Sequence, residues 1–192
     1  MKQTVTRIKA TFLAVGVLAL VVASLSPAMV SAAPTWNELQ TNGNTNRDWQ
    51  SAAISGNNQV ALVGNTRLYI IKNNNTFSET RPAGNNNANW TSVALSNNGQ
   101  VMLAANETDI YRSINGGSTW TKVRPGGNTM LMWQSTAVSA DGQVMLAGVL
   151  DGRLYRSTNA GATWTETRPA GDNDRDWRTT RIGNTGQILL AV

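Results

Sequence analysis

The chain has 192 residues, with 16 Lys and Arg against 11 Asp and Glu, and it contains neither Cys nor His. The absence of both residue types excludes disulfides, thiol nucleophiles, His-based triads and zinc sites with His or Cys ligands. Any metal bound by this chain would need oxygen ligands.

Residues 1–33 have the order of a secretory signal peptide. A basic start with Lys2, Arg7 and Lys9 is followed by an apolar run over 10–25, and small residues follow Pro27. This order predicts an exported protein, secreted or held in the cell envelope of a bacterium, with no membrane insertion after cleavage. An uncleaved anchor is the alternative, although the apolar run is short for a bilayer span.

Removal of this leader changes the charge balance. Its three cations leave 13 basic residues against 11 acidic ones in residues 34–192. Nucleic-acid binding needs a basic stripe or cluster, which this sequence lacks, so we predict no nucleic-acid partner. The remainder is long enough for one domain and shows no sustained 3.6-residue apolar period, which predicts an all-β structure.

A repeat runs through the rest of the chain. Its units are marked by four tryptophans, spaced by 41, 43 and 44 residues: Trp49, Trp90, Trp133 and Trp177. Each unit contains four short predicted strands. The first begins at the marker tryptophan and is rich in small residues, the second is apolar, the third carries a tyrosine, and the fourth starts at an aromatic residue. This period predicts a β-propeller built from four-stranded antiparallel blades.

The predicted blade boundaries leave the propeller incomplete. Three full blades are predicted at about 49–80, 90–124 and 133–168, and a partial fourth at 177–192 would include an N-terminal strand at 35–40. Most propellers have four to eight blades. We therefore expect the sequence to be a piece of a longer product. The alternative is completion by another chain, because open strand edges pair readily.

The connection between the first and second strands contains turn residues in every unit. Asn98-Gly99 and Asp141-Gly142 are examples. Such pairs favour two-residue hairpin loops in which both residues have positive φ. We therefore predict tight two-residue turns at these positions.

An octet separates the third and fourth strands. It is complete at 113–120 and 157–164 and occurs in a worn form at 72–77. Its Asn can accept bonds from nearby backbone N–H groups, the Gly at its fifth position allows positive φ, and its Trp can bury a ring while the indole N–H finds an acceptor. The defining positions are Ser113, Asn115, Gly117 and Trp120, and Ser157, Asn159, Gly161 and Trp164.

These octets resemble the Asp-box, or BNR repeat, which has Ser or Thr, Asp or Asn, Gly, and Trp or Phe at positions one, three, five and eight. The resemblance implies a β-propeller of the kind found in sialidases, xyloglucan hydrolases, sortilin-type receptors and photosystem assembly factors. In that family the octet is structural and lies away from the active face. It therefore implies a fold and leaves the activity open.

Candidate ligand-binding residues lie in the connections at the other end of the blades, which differ most between repeats. They are Arg67, Glu107, Asp109, Asp151, Asp172, Asp174 and Asp176. Arg181 is added because its counterparts in the other units are alanines; it would point into the central channel and pair with a ligand carboxylate. The alternatives for Arg181 are an irregular last blade or an internal acid partner.

Asp172, Asp174 and Asp176 alternate like the first ligands of a calcium loop. The glycine and distal glutamate of that motif are absent, which favours a solvated acidic loop without a cofactor. Three arginines recur before proline, at Arg81, Arg124 and Arg168. Sialidases gather three arginines on a substrate carboxylate, but repeat-related residues lie on separate blades. We therefore predict a structural role for these arginines.

The sequence favours an exported binding or scaffold module with a protein or carbohydrate ligand on the loops between blades. The first alternative is a piece of a sialidase-like glycoside hydrolase. The second is an assembly factor that binds a membrane-protein partner.

Overall fold

A computed structural model describes residues 48–64, 66–72 and 77–192, which contain fourteen β-strands and no helix. The predicted signal peptide at 1–33, the predicted strand at 35–40 and most of the worn octet lie outside these ranges. Within them, no helix has the length and apolarity needed to cross a membrane.

The strands form three four-stranded antiparallel sheets and one two-stranded sheet, each with its strands in chain order. The first blade consists of β1 (Trp49–Ile54), β2 (Val60–Gly64), β3 (Leu68–Ile71) and β4 (Phe77–Thr80). The second consists of β5 (Trp90–Leu95), β6 (Met102–Asn106), β7 (Ile110–Ser113) and β8 (Thr121–Val123). The third consists of β9 (Trp133–Val138), β10 (Met145–Val149), β11 (Leu154–Ser157) and β12 (Thr165–Thr167). The last sheet pairs β13 (Thr180–Ile182) with β14 (Leu189–Ala191). The chain is therefore an all-β propeller with a partial last blade.

The marker tryptophan opens the first strand in the three complete blades, as predicted, but not in the fourth. Trp177 is held by the third blade instead: its backbone N–H donates to Val149 O (3.1 Å) and its indole N–H to Gly152 O (3.0 Å). Its carbonyl accepts a bond from Ser135 Oγ at 2.9 Å. Trp133 bonds to the second blade in a similar way and still opens β9, so these contacts alone do not keep a tryptophan out of the ladder. In the last sheet, Thr179 exchanges backbone bonds with Val192, and the strand itself starts at Thr180.

The prediction of two-residue turns between first and second strands is wrong. In the second blade the connection runs from Ser96 to Val101, and only Gly99 in it has positive φ, at 66°. Ser96 Oγ accepts the Val101 N–H at 3.0 Å and donates to Asn98 Oδ1 at 2.7 Å. The serine hydroxyl thus bonds across a loop that is longer than a two-residue turn and holds it closed.

The first strands of successive blades lie side by side. Ser92 Oγ on β5 accepts the backbone N–H of Thr136 on β9 at 3.0 Å and lies 2.9 Å from its hydroxyl. Ser51 Oγ on β1 similarly accepts the Val93 N–H at 3.3 Å. Small hydroxyl residues on these strands therefore bond one blade to the next, which larger side chains would prevent.

Apolar side chains fill the space between neighbouring sheets. One cluster joins the first and second blades and contains Ile70, Trp90 and Met102. Another joins the second and third blades and contains Ile110, Trp133 and Met145. The marker tryptophan also packs on the tyrosine of its own third strand. The ring centroids are 5.7 Å apart for Trp90 and Tyr111. Such aromatic pairs contribute about 1 kcal/mol beyond the area they bury.

Candidate functional site

The two ends of the blades carry different connections. At one end each octet contacts the turn between the first two strands, since Gly116 N donates to Gln100 O and Ala160 N to Gln143 O, both at 2.9 Å. We call this the octet end. The connections between second and third strands and between blades lie at the opposite end, which we call the loop end.

Each octet satisfies its own polar groups. Asn115 Oδ1 accepts the Thr119 N–H at 2.9 Å, and Ser113 Oγ accepts the Gly117 N–H at 2.9 Å. Gly117 has a φ of 78°, a conformation that glycine adopts without steric cost. The octet at 157–164 repeats this geometry, with a φ of 79° at Gly161. With its polar groups already paired, the octet is suited to a structural role.

The octets also fasten each blade to the preceding one. Trp120 Nε1 donates to Thr80 Oγ1 at 2.7 Å, and that hydroxyl donates to Gly117 O at 2.8 Å. In the next pair of blades, Arg112 Nη1 donates to Ala160 O at 3.0 Å. Side chains on the third and fourth strands of one blade thus bind main-chain carbonyls of the next octet.

The acids predicted as ligand or calcium residues near the last connection each have a local cationic or backbone partner. Asp172 pairs with Arg168 at 2.6 Å and Asp174 with Arg153 at 3.0 Å. Asp176 pairs with Arg178 at 3.0 Å and accepts the Asp151 N–H at 3.0 Å. Within the described ranges no three acidic side chains come together as a metal site.

Arg67 and Asp109, two further predicted residues, form ion pairs within their own blades. Arg67 pairs with Glu79 at 3.1 Å and Arg153 lies 4.0 Å from Glu166, while the second blade reverses the charges and pairs Asp109 with Lys122 at 2.5 Å. Burial, reinforced by the neighbouring Asp109, raises the pKa of the Tyr111 phenol beside this pair. The reversal keeps opposite charges facing each other across the third and fourth strands.

The arginines that recur before proline bond within their own blades. Arg81 donates to Asn85 Oδ1 at 2.6 Å and Arg124 to Asn128 Oδ1 at 3.3 Å, which corresponds to the pairing of Arg168 with Asp172. Each guanidinium thus bonds to the side chain four residues later and closes the loop between them. This local bond explains why the arginine recurs in every repeat, without a shared substrate.

Arg181 is exposed in the partial blade. Its guanidinium donates to the carbonyl of the adjacent Thr180 at 2.8 Å. Its counterparts Ala94 and Ala137 are buried.

A β-bulge follows each marker tryptophan in the complete blades. The register of the first and second strands skips one position directly after the tryptophan, which is occupied by Gln50, Thr91 and Gln134 in the three blades. A bulge turns the extra side chain away from the regular alternation of the strand. Sequence reasoning missed these residues, although a polar residue after each marker tryptophan was the available signal.

These three bulge residues line one hollow of about 500 Å³ at the loop end. The hollow takes residues from three blades; the others are Asn89, Trp90, Glu107, Met132, Trp133 and Leu150. Of the predicted ligand residues, only Glu107 belongs to it. We call it the loop-end hollow.

The loop-end hollow combines amide groups with apolar surface. Glu107 accepts a bond from Asn89 Nδ2 at 3.2 Å, and its backbone N–H donates to Asn89 O at 3.1 Å. Met132 is 55% exposed beside the buried ring of Trp133. Glu107 is the single carboxylate among the residues that line the hollow.

The two carboxylates that a glycosidase normally uses are therefore not both present among the lining residues. The arrangement offers hydrogen-bond donors, acceptors and an apolar contact for a bound ligand.

No protein-family profile and no curated protein sequence matches the chain. Solved structures do match. YCF48 bound to a D1 peptide has a TM-score of 0.54 and 16% identity, over 64% of this chain and 41% of that one. Hydrazine synthase from Kuenenia stuttgartiensis has a TM-score of 0.58 and 10% identity, over 79% of this chain and 45% of that one.

An ancestral GH74 enzyme gives a TM-score of 0.56 and 21% identity, over 74% of this chain and 21% of that one. The chain thus spans less than half of each of these structures, all of which are β-propellers. At these identities the similarity concerns the fold alone.

Proposed function

We propose that this protein is an exported, non-catalytic binding module that holds an extended segment of another protein in its loop-end hollow. The observation that carries the proposal is the convergence of the three bulge residues Gln50, Thr91 and Gln134 with the exposed Met132. Amide side chains can pair with the N–H and C=O groups of an extended peptide. A methionine adapts its shape to varied apolar side chains.

Two further points support a peptide ligand. Backbone hydrogen bonds hold the connections that line the hollow: Glu107 N–H donates to Asn89 O at 3.1 Å, and Leu150 N–H donates to Met132 O at 2.8 Å. The site is therefore pre-formed, and binding costs little ordering of these connections. Among the structural neighbours, YCF48 is described as bound to a D1 peptide, which provides a precedent for peptide binding on a similar fold. The predicted export through the leader at 1–33 would place such a partner outside the cytoplasm.

The proposal is tested with a displayed library of random peptides selected on the full chain. The strongest peptide is then titrated against Met132→Asp and Gln134→Ala. We expect each variant to bind at least tenfold more weakly. Met130→Asp is the matched control because Met130 is 81% exposed in the same connection but lies outside the hollow; it should bind like the wild type. Selection of peptides that bind all variants equally would contradict the site.

Hydrolysis is the competing function. A carbohydrate-active site is favoured only by the similarity to a GH74 enzyme and by Glu107 in the hollow. Fluorogenic sialoside and xyloglucan oligosaccharide are offered to the full chain and to Glu107→Gln. We expect no turnover by either protein. Turnover that Glu107→Gln abolishes would replace the binding-module proposal by a hydrolase.

A further inference from the structure

A groove beside the partial blade carries an inference independent of the loop-end hollow. It has a volume of about 590 Å³ and lies between the third blade and β14. Leu154 lines it from the third blade, and Leu189 and Leu190 line it from β14. The two leucines of β14 remain 38% and 54% exposed. Arg156 and Thr167 also line this groove, and both have informative counterparts in the other blades.

Arg156 occupies the position in its blade that Arg112 occupies in the second. Arg112 donates to Ala160 O, the carbonyl of the fourth residue in the next octet, at 3.0 Å. Arg112 makes this bond through Nη1. The guanidinium of Arg156 donates to no described residue, and its Nε atom is buried without a hydrogen-bond partner. A buried N–H group without an acceptor is destabilising. The groove therefore presents a hydrogen-bond donor whose acceptor, a carbonyl in the equivalent contact of Arg112, is not supplied by the described residues.

Thr167 occupies the repeat position of a residue that makes a second kind of octet contact. Its counterpart Thr80 donates to the carbonyl of Gly117, the fifth octet residue, and accepts the indole N–H of Trp120. Among the described residues, the one partner of Thr167 Oγ1 is Leu154 O within its own sheet, at the long distance of 3.4 Å. One groove thus contains both side chains that elsewhere bind an octet.

We propose that this groove is the docking site for a β-hairpin that carries an octet of the Ser-x-Asn-x-Gly-x-x-Trp type. The first strand of the hairpin pairs with the edge of β14 that no described strand covers. Arg156 donates to the carbonyl of the fourth octet residue. Thr167 donates to the carbonyl of the fifth and accepts the indole N–H.

The probe is a synthetic peptide with the sequence of residues 153–168, which contains β11, an octet and β12. Cysteines added at both ends close it into a ring, so that the hairpin is formed before binding. Fluorescence anisotropy measures its binding to the full chain. We expect saturable binding that weakens at least tenfold in Arg156→Met and in Leu190→Asp. Arg178→Met, at an exposed loop-end arginine, is the control and should bind like the wild type.

A second measurement separates recognition from folding. Arg156→Met keeps the aliphatic stem and removes a donor that has no described acceptor, so the Tm of the free protein should stay unchanged or rise. Arg112→Met loses the bond to Ala160 O, so its Tm should fall. A peptide in which the glycine corresponding to Gly161 is replaced by alanine should not bind, because that position has a φ of 79°.

Three results would overturn the assignment. The first is the absence of peptide binding. The second is binding that Arg156→Met and Thr167→Val leave unchanged. The third is a dimer that forms without peptide and that Arg156→Met dissociates, because a second copy of the chain would then occupy the groove.

Discussion

Replacement of Thr80 by valine tests how the octets join the blades. The hydroxyl of Thr80 accepts the indole N–H of Trp120 at 2.7 Å and donates to Gly117 O at 2.8 Å. Valine has nearly the same volume and preserves packing, so the substitution removes both bonds and little else. The indole N–H keeps a second acceptor, Gly117 O at 3.1 Å.

The expected cost follows from these bonds. A half-buried neutral hydrogen bond contributes about 1 kcal/mol net, and the remaining acceptor offsets part of the indole loss. We therefore expect Thr80→Val to lower the free energy of unfolding by about 1 kcal/mol, which lowers the Tm by about 3 °C for a domain of this size.

The assay is urea unfolding of four proteins: wild type, Thr80→Val, Trp120→Phe and the double variant. The double-mutant cycle should give a coupling energy of about 1 kcal/mol between the two side chains. The chain also supplies a reciprocal variant, because Val123 has the position of Thr80 in the next blade and lines a groove with Trp164. Val123→Thr should add stability. A coupling energy near zero would refute the idea that this hydroxyl fastens the octet.

Three further predictions concern the sheets. Gly148→Ala should lower the Tm by several degrees because its Cβ would lie 2.5 Å from Ser135 Oγ and 2.8 Å from Trp177 O. Gly64→Ala, one repeat position further along the second strand of the first blade, meets nothing closer than 3.5 Å and should be tolerated; equal melting of the two variants would contradict the close approach of Trp177 to Gly148. Asp141 accepts bonds from Ser139 Oγ and the Gln143 N–H, and these bonds lower its pKa below 3.8. The stability that this turn contributes is therefore present at neutral pH and is lost as the pH falls through the lowered pKa. Asp141→Asn, which copies Asn98 of the second blade, should flatten this acid dependence in thermal melts. Asp109→Arg should destabilise the second blade by less than about 1 kcal/mol. The double variant with Lys122→Glu should recover this loss because it copies the Arg67–Glu79 pair of the first blade. Urea midpoints that do not recover would argue against the pairing.

Much of the fold could be predicted because its signals are local. Marker tryptophans at a regular period located the first strands of the three complete blades, and the octet residues indicated a turn that bonds to itself. The loops between first and second strands were misjudged because a serine side chain completes them, and propensities for Asn-Gly pairs do not register that bond. Trp177 shows a related limit, because it has the spacing of a marker tryptophan but lies outside the last strand, which starts at Thr180.

The site was harder to predict because charge and position in a loop do not determine what a side chain contacts. Asp172 and Asp174 were chosen because they lie in a connection that differs between repeats, yet Arg168, four residues away, and Arg153, on a neighbouring connection, pair with them. Residues reach the loop-end hollow because a bulge follows each marker tryptophan and because three blades converge there. A contact between residues about forty positions apart needs the register of the sheets, which the sequence pattern does not specify.

The stacking of one blade against the next is tested most directly by a disulfide between adjacent first strands. Because the chain has no cysteine, Ser92→Cys combined with Thr136→Cys reports on one contact, where the native hydroxyls are 2.9 Å apart. We expect mild oxidation to join the two cysteines, with a mass loss of about two hydrogens in the intact protein and one crosslinked peptide after digestion. Ser92→Cys with Thr180→Cys, two blades apart, should stay reduced. Free thiols in the first pair, or equal crosslinking of both pairs, would contradict the arrangement of blades.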